Sequence, residues 1–351
     1  MRKEKCFFIF IVSCLLLLAG CSGNSSASSE KVTLNVYNWG EYIDMSILDS
    51  FTEETGIAIN YDTYANNEDM YTKIKTGGAS YDIAIPSDYM IERMIKEELL
   101  EPLDLSNIPN FKNIDDRFTS LSYDPGCVYS IPYMWGTVGI LYNKDMVSDP
   151  VDSWSILWDE KYADQIFMYD SLRDTIGITL KMLGYTLNSR SLAELEDARD
   201  ALISQKPIVR AYVGDTVRDS MIGNEGALAV AYSGDAIFCI DNNSSLAYAV
   251  PKEGSNVWCD AIVIPKGATH KAEAEKFIDY LCRPDICLKN VEYIGYSTVN
   301  TETFGMLSEE MRENPAFWPT DDIYNRCEVF SDLGEFVKEY DKVWTEILAA
   351  N

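Results

Sequence analysis

The 351-residue sequence predicts an α/β protein that contains a parallel sheet covered by helices. Its hydrophobic share of 47% is typical of a soluble globular protein. At roughly 150 residues per domain, the length suggests two domains or two lobes. A strand-then-helix pattern also occurs three times between residues 32 and 96, and parallel strands require crossovers of this kind.

The first three strand–helix units are defined by alternating strands and by helix caps. Residues 32–37 alternate between apolar and polar side chains, which predicts a strand. Asp44 is suited to cap the next helix, and Gly56 to end it. The remaining predicted elements are strands at 57–61 and 83–85 and helices at 68–76 and 88–96.

A second α/β stretch begins after residue 138. Its predicted strands are 139–142, 166–168, 227–232, 246–250 and 261–264. Its predicted helices are 173–184, 191–204 and one containing Phe277, Ile278 and Leu281. The two stretches together predict one α/β unit on each side of residue 138.

Residues 1–20 are typical of a bacterial lipoprotein signal peptide. Arg2, Lys3 and Lys5 precede an apolar run over 7–19, which is too short to span a bilayer comfortably. The run ends in Leu-Ala-Gly-Cys, which resembles a lipobox, so we expect lipidation of Cys21 and a flexible tether over 21–31. An ordinary secretory signal is the alternative. The expected location is the outer face of the cell membrane, with a lipid anchor.

Composition excludes several classes of function. The chain has 56 acidic and 29 basic residues and a formal charge of −27, which argues against nucleic acid and favours cationic partners, although such a surface often serves solubility alone. A single histidine, His270, argues against a Ser-His-Asp triad and a multi-histidine metal site.

Cysteine spacing excludes further sites. No two of the six body cysteines have C-x-x-C spacing, so neither a zinc site nor a thioredoxin-like site is predicted, and their pairing stays open. These are Cys127, Cys239, Cys259, Cys282, Cys287 and Cys327.

Aromatic and acidic residues recur at the carboxyl ends of the predicted strands, where open α/β sheets bind ligands. The loops contain Trp39, Glu41 and Tyr42; Ser87 and Tyr89; Asp174; Tyr232 and Asp235; and Trp258 and Asp260, just before the strand at 261. Aromatic faces attract ammonium groups, and carboxylates bind their N–H groups. Sugars also stack on aromatics, but several acids favour an organic cation. Each residue alone is more typical of a core position or a helix cap.

Seven segments resemble the polyamine-binding proteins of ABC importers over residues 32–349. They are NWGEY, YDIAIPSDYMIERM, YSIPYMWGTVGILYN, FMYDSLRDTIG, AYSGDA, WCDAIVIP and IGYSTVN. The resemblance implies a two-lobed type II periplasmic-binding-protein fold with the ligand cleft between the lobes. Lobe one is expected over 32–138 and about 264–303, and lobe two over about 139–263 and 304–351. The resemblance also implies a monomer that captures spermidine or putrescine and delivers it to a permease. It implies no catalysis, cofactor or metal.

The resemblance carries binding roles to residues of this sequence. Asp260 is expected to hold one ammonium group, with Trp258 and Tyr296 stacked on the adjacent methylenes. Glu41 and Asp174 would hold other nitrogens, and Asp235 a second or third. Trp39 and Tyr232 would form walls, and Ser87 and Tyr89 would supply neutral hydrogen bonds. Tyr42 also matches a binding position of the family.

Four positions depart from the pattern of the family, and they leave spermidine against putrescine open. Gly40 replaces a hydroxyl residue, Ser171 an aspartate of some members, Tyr232 a frequent tryptophan and Phe330 a glutamine of some spermidine binders. A sugar- or peptide-binding lipoprotein of the same fold is the first alternative function. An extracellular hydrolase that uses two carboxylates is the second.

Overall fold

The computed structural model describes residues 32–77, 80–214 and 216–350. The predicted signal peptide, the lipidation site Cys21 and the tether lie outside these residues. Within the described ranges, none of the helices has the length and apolar character needed to cross a membrane.

The described chain contains ten strands and fourteen α-helices. The strands are β1 (Thr33–Trp39), β2 (Ala58–Tyr64), β3 (Ile83–Ala84), β4 (Ser130–Asn143), β5 (Ile166–Tyr169), β6 (Val209–Val213), β7 (Leu228–Tyr232), β8 (Leu246–Ala249), β9 (Val257–Val263) and β10 (Ser297–Thr298). The helices are α1 (Met45–Thr55), α2 (Asn67–Lys75), α3 (Asp88–Lys96), α4 (Asp116–Thr119), α5 (Leu172–Met182), α6 (Leu192–Gln205), α7 (Val217–Ile222), α8 (Ser233–Asn242), α9 (Lys271–Leu281), α10 (Pro284–Ile294), α11 (Thr301–Met306), α12 (Glu309–Glu313), α13 (Asp321–Tyr324) and α14 (Val337–Ala349).

The strands form one sheet in the order β2-β1-β3-β9-β4-β7-β5-β6, with β8 and β10 also paired to β4. β1 pairs in parallel with β2 and β3, so the predicted parallel arrangement of the first three units is confirmed. β4 is the long central strand. It pairs antiparallel with β9 through its first half and with β7 through its second half.

Each half of the sheet has its own hydrophobic core. On the β1–β3 side, Met70 of α2 and Met90, Ile91 and Met94 of α3 are buried against the strands. On the β5–β7 side, the core includes the buried aromatic side chains of Trp154 and Tyr340 and the apolar faces of α5, α6 and α14. Full burial of one such side chain contributes about 1.5–3 kcal/mol, so the amphipathic helices are fixed mainly by these contacts.

The local signals that begin and end α1 are confirmed. The Asp44 side chain accepts a hydrogen bond of 2.9 Å from the Ser46 amide, and Gly56 ends the helix with a φ of 74°. A positive φ of this kind favours glycine because it has no Cβ.

β9 begins at Val257, so the expectation that Trp258 and Asp260 precede the strand is wrong. Every residue of β9 is buried because the strand lies between β3 and β4, and such a strand need not alternate. Because β3 belongs to predicted lobe one, the pairing of β9 with β3 favours re-entry of the chain into lobe one before residue 257 rather than near 264. The lobe boundaries themselves stay a prediction.

The six cysteines of the described chain are all free thiols. Burial raises the pKa values of Cys127 and Cys239 to about 12, which leaves both thiols protonated and unreactive at neutral pH. Within the described ranges, no three His, Cys, Asp or Glu side chains are grouped so as to hold a metal ion.

Candidate ligand-binding site

Five aromatic side chains form a continuous row, here called the aromatic wall, in the order Tyr42, Tyr296, Trp258, Tyr232 and Tyr169. Successive ring centroids are 6.0, 5.0, 6.1 and 5.0 Å apart, and each pair meets edge to face. Three of the rings belong to β5, β7 and β9, and the other two lie just after β1 and just before β10. Such a wall can bind alkyl chains by apolar contact and cations by cation–π attraction.

Two glycines allow the rings of the wall to lie close to the backbone. Gly136 of β4 pairs with Trp258, and a Cβ at Gly136 would lie 2.7 Å from the indole. Gly234 in the first turn of α8 faces Tyr296, and its Cβ would lie 2.3 Å from that ring. Any side chain at either glycine would therefore displace an aromatic ring. Sequence reasoning did not identify these glycines as part of the site.

Asp260 lies in β9, two residues after Trp258, and is only 7% exposed. Burial raises the pKa of its carboxyl group to about 6, while the hydroxyl groups of Ser87 and Tyr42 act in the opposite direction. Among the described residues, the buried Tyr42 hydroxyl itself has no partner in hydrogen-bonding geometry. The structure thus brings Asp260, Ser87 and Tyr42 together at one end of the aromatic wall.

Asp174 lies buried in the first turn of α5, near the other end of the wall. The Tyr232 hydroxyl donates to its Oδ2 atom at 2.8 Å, and the Ser171 hydroxyl donates to the same oxygen at 2.6 Å. Its buried Oδ1 atom has no hydrogen-bond partner among the described residues. Burial raises the pKa of Asp174. A ligand donor directed at Oδ1 would satisfy this carboxylate.

Asp235 follows Gly234 in α8 and is 2% exposed. Both Nε and Nη2 of Arg218 donate to its Oδ1 atom, with an Nε–Oδ1 distance of 2.8 Å. The Tyr296 hydroxyl also donates to this oxygen at 3.4 Å. The residue predicted to bind a second or third amine is therefore already paired with a cation of the protein. Arg218 was not identified from the sequence, because it lies 17 residues earlier, on α7.

A second guanidinium group, that of Arg173, is buried beside Asp174. It lies 4.4 Å from the centroid of the Phe330 ring and donates to the Ser331 carbonyl oxygen at 3.2 Å. The Tyr89 ring is 5.7 Å away, so Tyr89 faces this cation in the described structure. Burial lowers the pKa of Arg173.

Asp88 is buried in the first turn of α3. Its Oδ1 atom accepts from the Tyr89 amide at 2.7 Å, and its Oδ2 atom accepts from the Cys259 amide at 3.4 Å. Burial raises its pKa, and the charge of Asp260 acts in the same direction. Asp88 thus adds a fourth buried acid to the site.

The side chains of Glu41 and Trp39 contact residues other than those of the wall. Glu41 is exposed and accepts a hydrogen bond of 2.9 Å from the Tyr293 hydroxyl. The Trp39 indole donates to the Ile85 carbonyl oxygen at 2.9 Å and packs 4.7 Å from the Tyr64 ring. The predicted ligand contacts of Glu41 and Trp39 stay predictions.

A family model described as bacterial extracellular solute-binding protein matches residues 46–319 of the chain. The chain is also similar to the spermidine/putrescine-binding periplasmic protein of Escherichia coli (strain K12). The two are 34% identical over 340 residues, which cover 95% of this chain and 97% of that protein.

Two solved structures are similar over most of their length. The spermidine/putrescine ABC transporter substrate-binding protein PotD from Streptococcus pneumoniae has a TM-score of 0.82 and 42% identity, covering 90% of this chain and 98% of that one. The Tp0655 (TpPotD) lipoprotein of Treponema pallidum has a TM-score of 0.83 and 28% identity, covering 90% and 99%. The resemblance drawn from the seven segments and the predicted type II periplasmic-binding-protein fold are confirmed.

Proposed function

Because the chain belongs to the bacterial extracellular solute-binding protein family, we propose that it captures a polyamine outside the cell and delivers it to an ABC permease. The family and its solved relatives are transport binding proteins, which supports binding without catalysis. The E. coli relative is named for spermidine and putrescine, and this name agrees with the chemistry of the candidate site.

The observation that carries this proposal is a pair of buried carboxylates beside the aromatic wall. In the described part of the chain, no lysine or arginine forms an ion pair with either Asp174 or Asp260. Burying a charged carboxylate without an opposite charge is costly. An ammonium group placed at each carboxylate would remove that cost, and the wall would contact the methylene groups between them.

A neutral ligand fits the site less well. A sugar would stack on the wall, but its hydroxyl groups would bring no positive charge to either carboxylate. A protonated polyamine satisfies both features together. Since the carboxylates lie on β9 and α5, a ligand held between them favours the arrangement in which these elements are close. Docking of this ligand-bound form on the permease completes the proposed cycle.

We also propose that the mature protein is a monomer anchored by a lipid at Cys21. The support for the anchor is the order of charged, apolar and small residues before Cys21. The acidic excess of the chain favours encounter with a polycation over encounter with neutral solutes.

Titration calorimetry and thermal unfolding with putrescine, spermidine, a panel of sugars and short peptides test the proposal. A ligand at 100 times its Kd stabilises the folded protein by roughly 2.7 kcal/mol, which raises the unfolding temperature measurably. We expect stabilisation by the amines and none by the sugars or peptides. Stabilisation by a sugar or peptide, with no effect of either amine, would contradict the proposal.

A further inference from the structure

Arg218 places a positive charge of the protein inside the candidate site. Its guanidinium group donates twice to Oδ1 of Asp235, while the side chain of Asp235 is 3% exposed and that of Arg218 is 36% exposed. Tyr296 connects this ion pair to the aromatic wall, because its hydroxyl contacts Asp235 and its ring packs on Trp258. The ion pair is therefore part of the site and not a separate surface contact.

The net charge of the site indicates how many positive charges a ligand should carry. Four buried acids and two guanidinium groups surround or adjoin the wall; they are Asp88, Asp174, Asp235, Asp260, Arg173 and Arg218. When all six are charged, two negative charges remain for a ligand to balance. Three of these acids form no ion pair within the described residues. Asp174 and Asp260 contact the wall through Tyr232 and Tyr42, whereas both carboxylate oxygens of Asp88 accept hydrogen bonds from backbone amides.

We propose that Arg218 occupies the carboxylate of Asp235 as a resident cation and thereby makes the site selective for diamines over triamines. This inference rests on the proposed function. A diamine such as 1,4-diaminobutane carries two ammonium groups and meets the two acids that contact the wall, Asp174 and Asp260. A triamine such as spermidine carries a third ammonium group, which would have to displace the Arg218 guanidinium or stay without a counter-charge in a mostly dry site.

Displacement of Arg218 is disfavoured by the geometry of the ion pair. Both donated hydrogen bonds reach one carboxylate oxygen, and the arginine side chain also lies 5.3 Å from the Phe238 ring. An ammonium group entering from a ligand would have to displace these contacts. The resident cation therefore sets the number of amines that the site accepts.

Calorimetric titration of the full chain with 1,4-diaminobutane and with spermidine tests this inference. For the wild type we expect the diamine to bind at least tenfold more tightly than spermidine. Arg218→Gln removes the charge but keeps much of the side-chain length, so the ratio of the two Kd values should shift by at least tenfold toward spermidine. Arg218→Lys keeps a positive charge and is expected to retain the diamine preference.

The double variant Arg218→Gln/Asp235→Asn removes both charges and should lose the gain in spermidine affinity that the single variant shows. An unchanged Kd ratio in a folded Arg218→Gln variant would overturn the inference, as would a wild type that prefers spermidine tenfold. The wild-type ratio decides this even if the variant does not fold. If neither amine binds the wild type, it is the proposed function itself that fails.

Discussion

The Tyr232 hydroxyl donates a hydrogen bond to Oδ2 of Asp174 over 2.8 Å. The same tyrosine ring packs edge to face between Tyr169 and Trp258. One side chain therefore both orients a buried carboxylate and forms part of the aromatic wall. Because Asp174 forms no ion pair with a lysine or arginine of the described chain, its orientation depends on this hydroxyl and on that of Ser171.

Tyr232→Phe should weaken polyamine binding by roughly 10- to 150-fold. The change keeps the ring in the wall but removes one donor to a buried charged group, and such hydrogen bonds contribute about 1.5–3 kcal/mol. Tyr185→Phe is the matched control, because the Tyr185 hydroxyl donates to Asp197 at 2.9 Å on the exposed surface. Calorimetry on both variants measures the effect. Equal affinities for the two variants would mean that the Asp174–Tyr232 contact does not position the ligand.

Asp260→Asn should lower affinity by about 2–5 kcal/mol, which is roughly thirtyfold or more. The amide keeps the volume of the side chain but removes the charge opposite a buried ammonium group. Asp116→Asn serves as control, because Asp116 is the first residue of α4 and is exposed. Both variants should unfold near the wild-type temperature without ligand. A normal Kd for folded Asp260→Asn would remove Asp260 from the binding site.

The first strand–helix units were predictable because their signals are local. α3 forms at the predicted residues 88–96, since apolar side chains at helical spacing face the core and Ser87 stands before the helix. The ends of β9 were not predictable, because they depend on its pairing with β4, more than a hundred residues earlier in the chain.

Three acids of the site, Asp174, Asp235 and Asp260, and most of its aromatics were named from the sequence because they lie near the ends of the predicted strands. Whether each acid is buried, and whether it is paired with a cation of the protein, could not be predicted. That Asp235 is paired with Arg218, and that Asp88 is buried, follows from contacts between elements that no local pattern records. The close approach of Gly234 to Tyr296 has the same origin.

Gly234→Ala should weaken binding and destabilise the protein, although alanine is normally the better helix former. The new Cβ would lie 2.3 Å from the Tyr296 ring, so the ring must move away from Trp258. Gly305→Ala is the control, because this helical glycine has no atom within 4 Å of its would-be Cβ. The control should gain about 0.5–1 kcal/mol of stability from helix propensity. Opposite shifts in thermal unfolding are expected; a gain in both variants would contradict the steric reason given for Gly234.

Cys21→Ala should abolish incorporation of fatty acid while leaving polyamine affinity unchanged. The lipobox-like segment before Cys21 requires that thiol as the site of attachment. Cys327→Ala is the control, since Cys327 is a half-buried free thiol in the folded part of the chain. Metabolic labelling with a fatty acid should continue in the control and stop in the Cys21 variant. Continued labelling of the Cys21 variant would exclude lipidation at this residue.

Polyamine affinity should fall as the pH is lowered through 6. Burial raises the pKa of Asp260 to about 6 in the ligand-free protein, so at pH 7.5 the carboxylate is charged and ready to bind an ammonium group. At pH 5 only about a tenth of it is ionised, which weakens binding roughly tenfold relative to pH 7.5. The raised pKa of Asp174 acts in the same direction. The free protein responds oppositely, because a raised carboxyl pKa stabilises the fold as the pH falls toward the unfolded-state value.

Calorimetry at pH 5, 6 and 7.5, in buffers of different ionisation enthalpy, measures this coupling. Because the bound ammonium group favours the charged carboxylate, binding at pH 6 should release protons, and the apparent heat should change with the buffer. Asp260→Asn cannot titrate at this position, so its weaker affinity should depend less on pH, with only the contribution of Asp174 remaining. An affinity that is equal at pH 5 and 7.5, with no buffer dependence at pH 6, would show that binding does not require the ionised Asp260. The ammonium group would then have to be held by Asp174 and the aromatic wall alone.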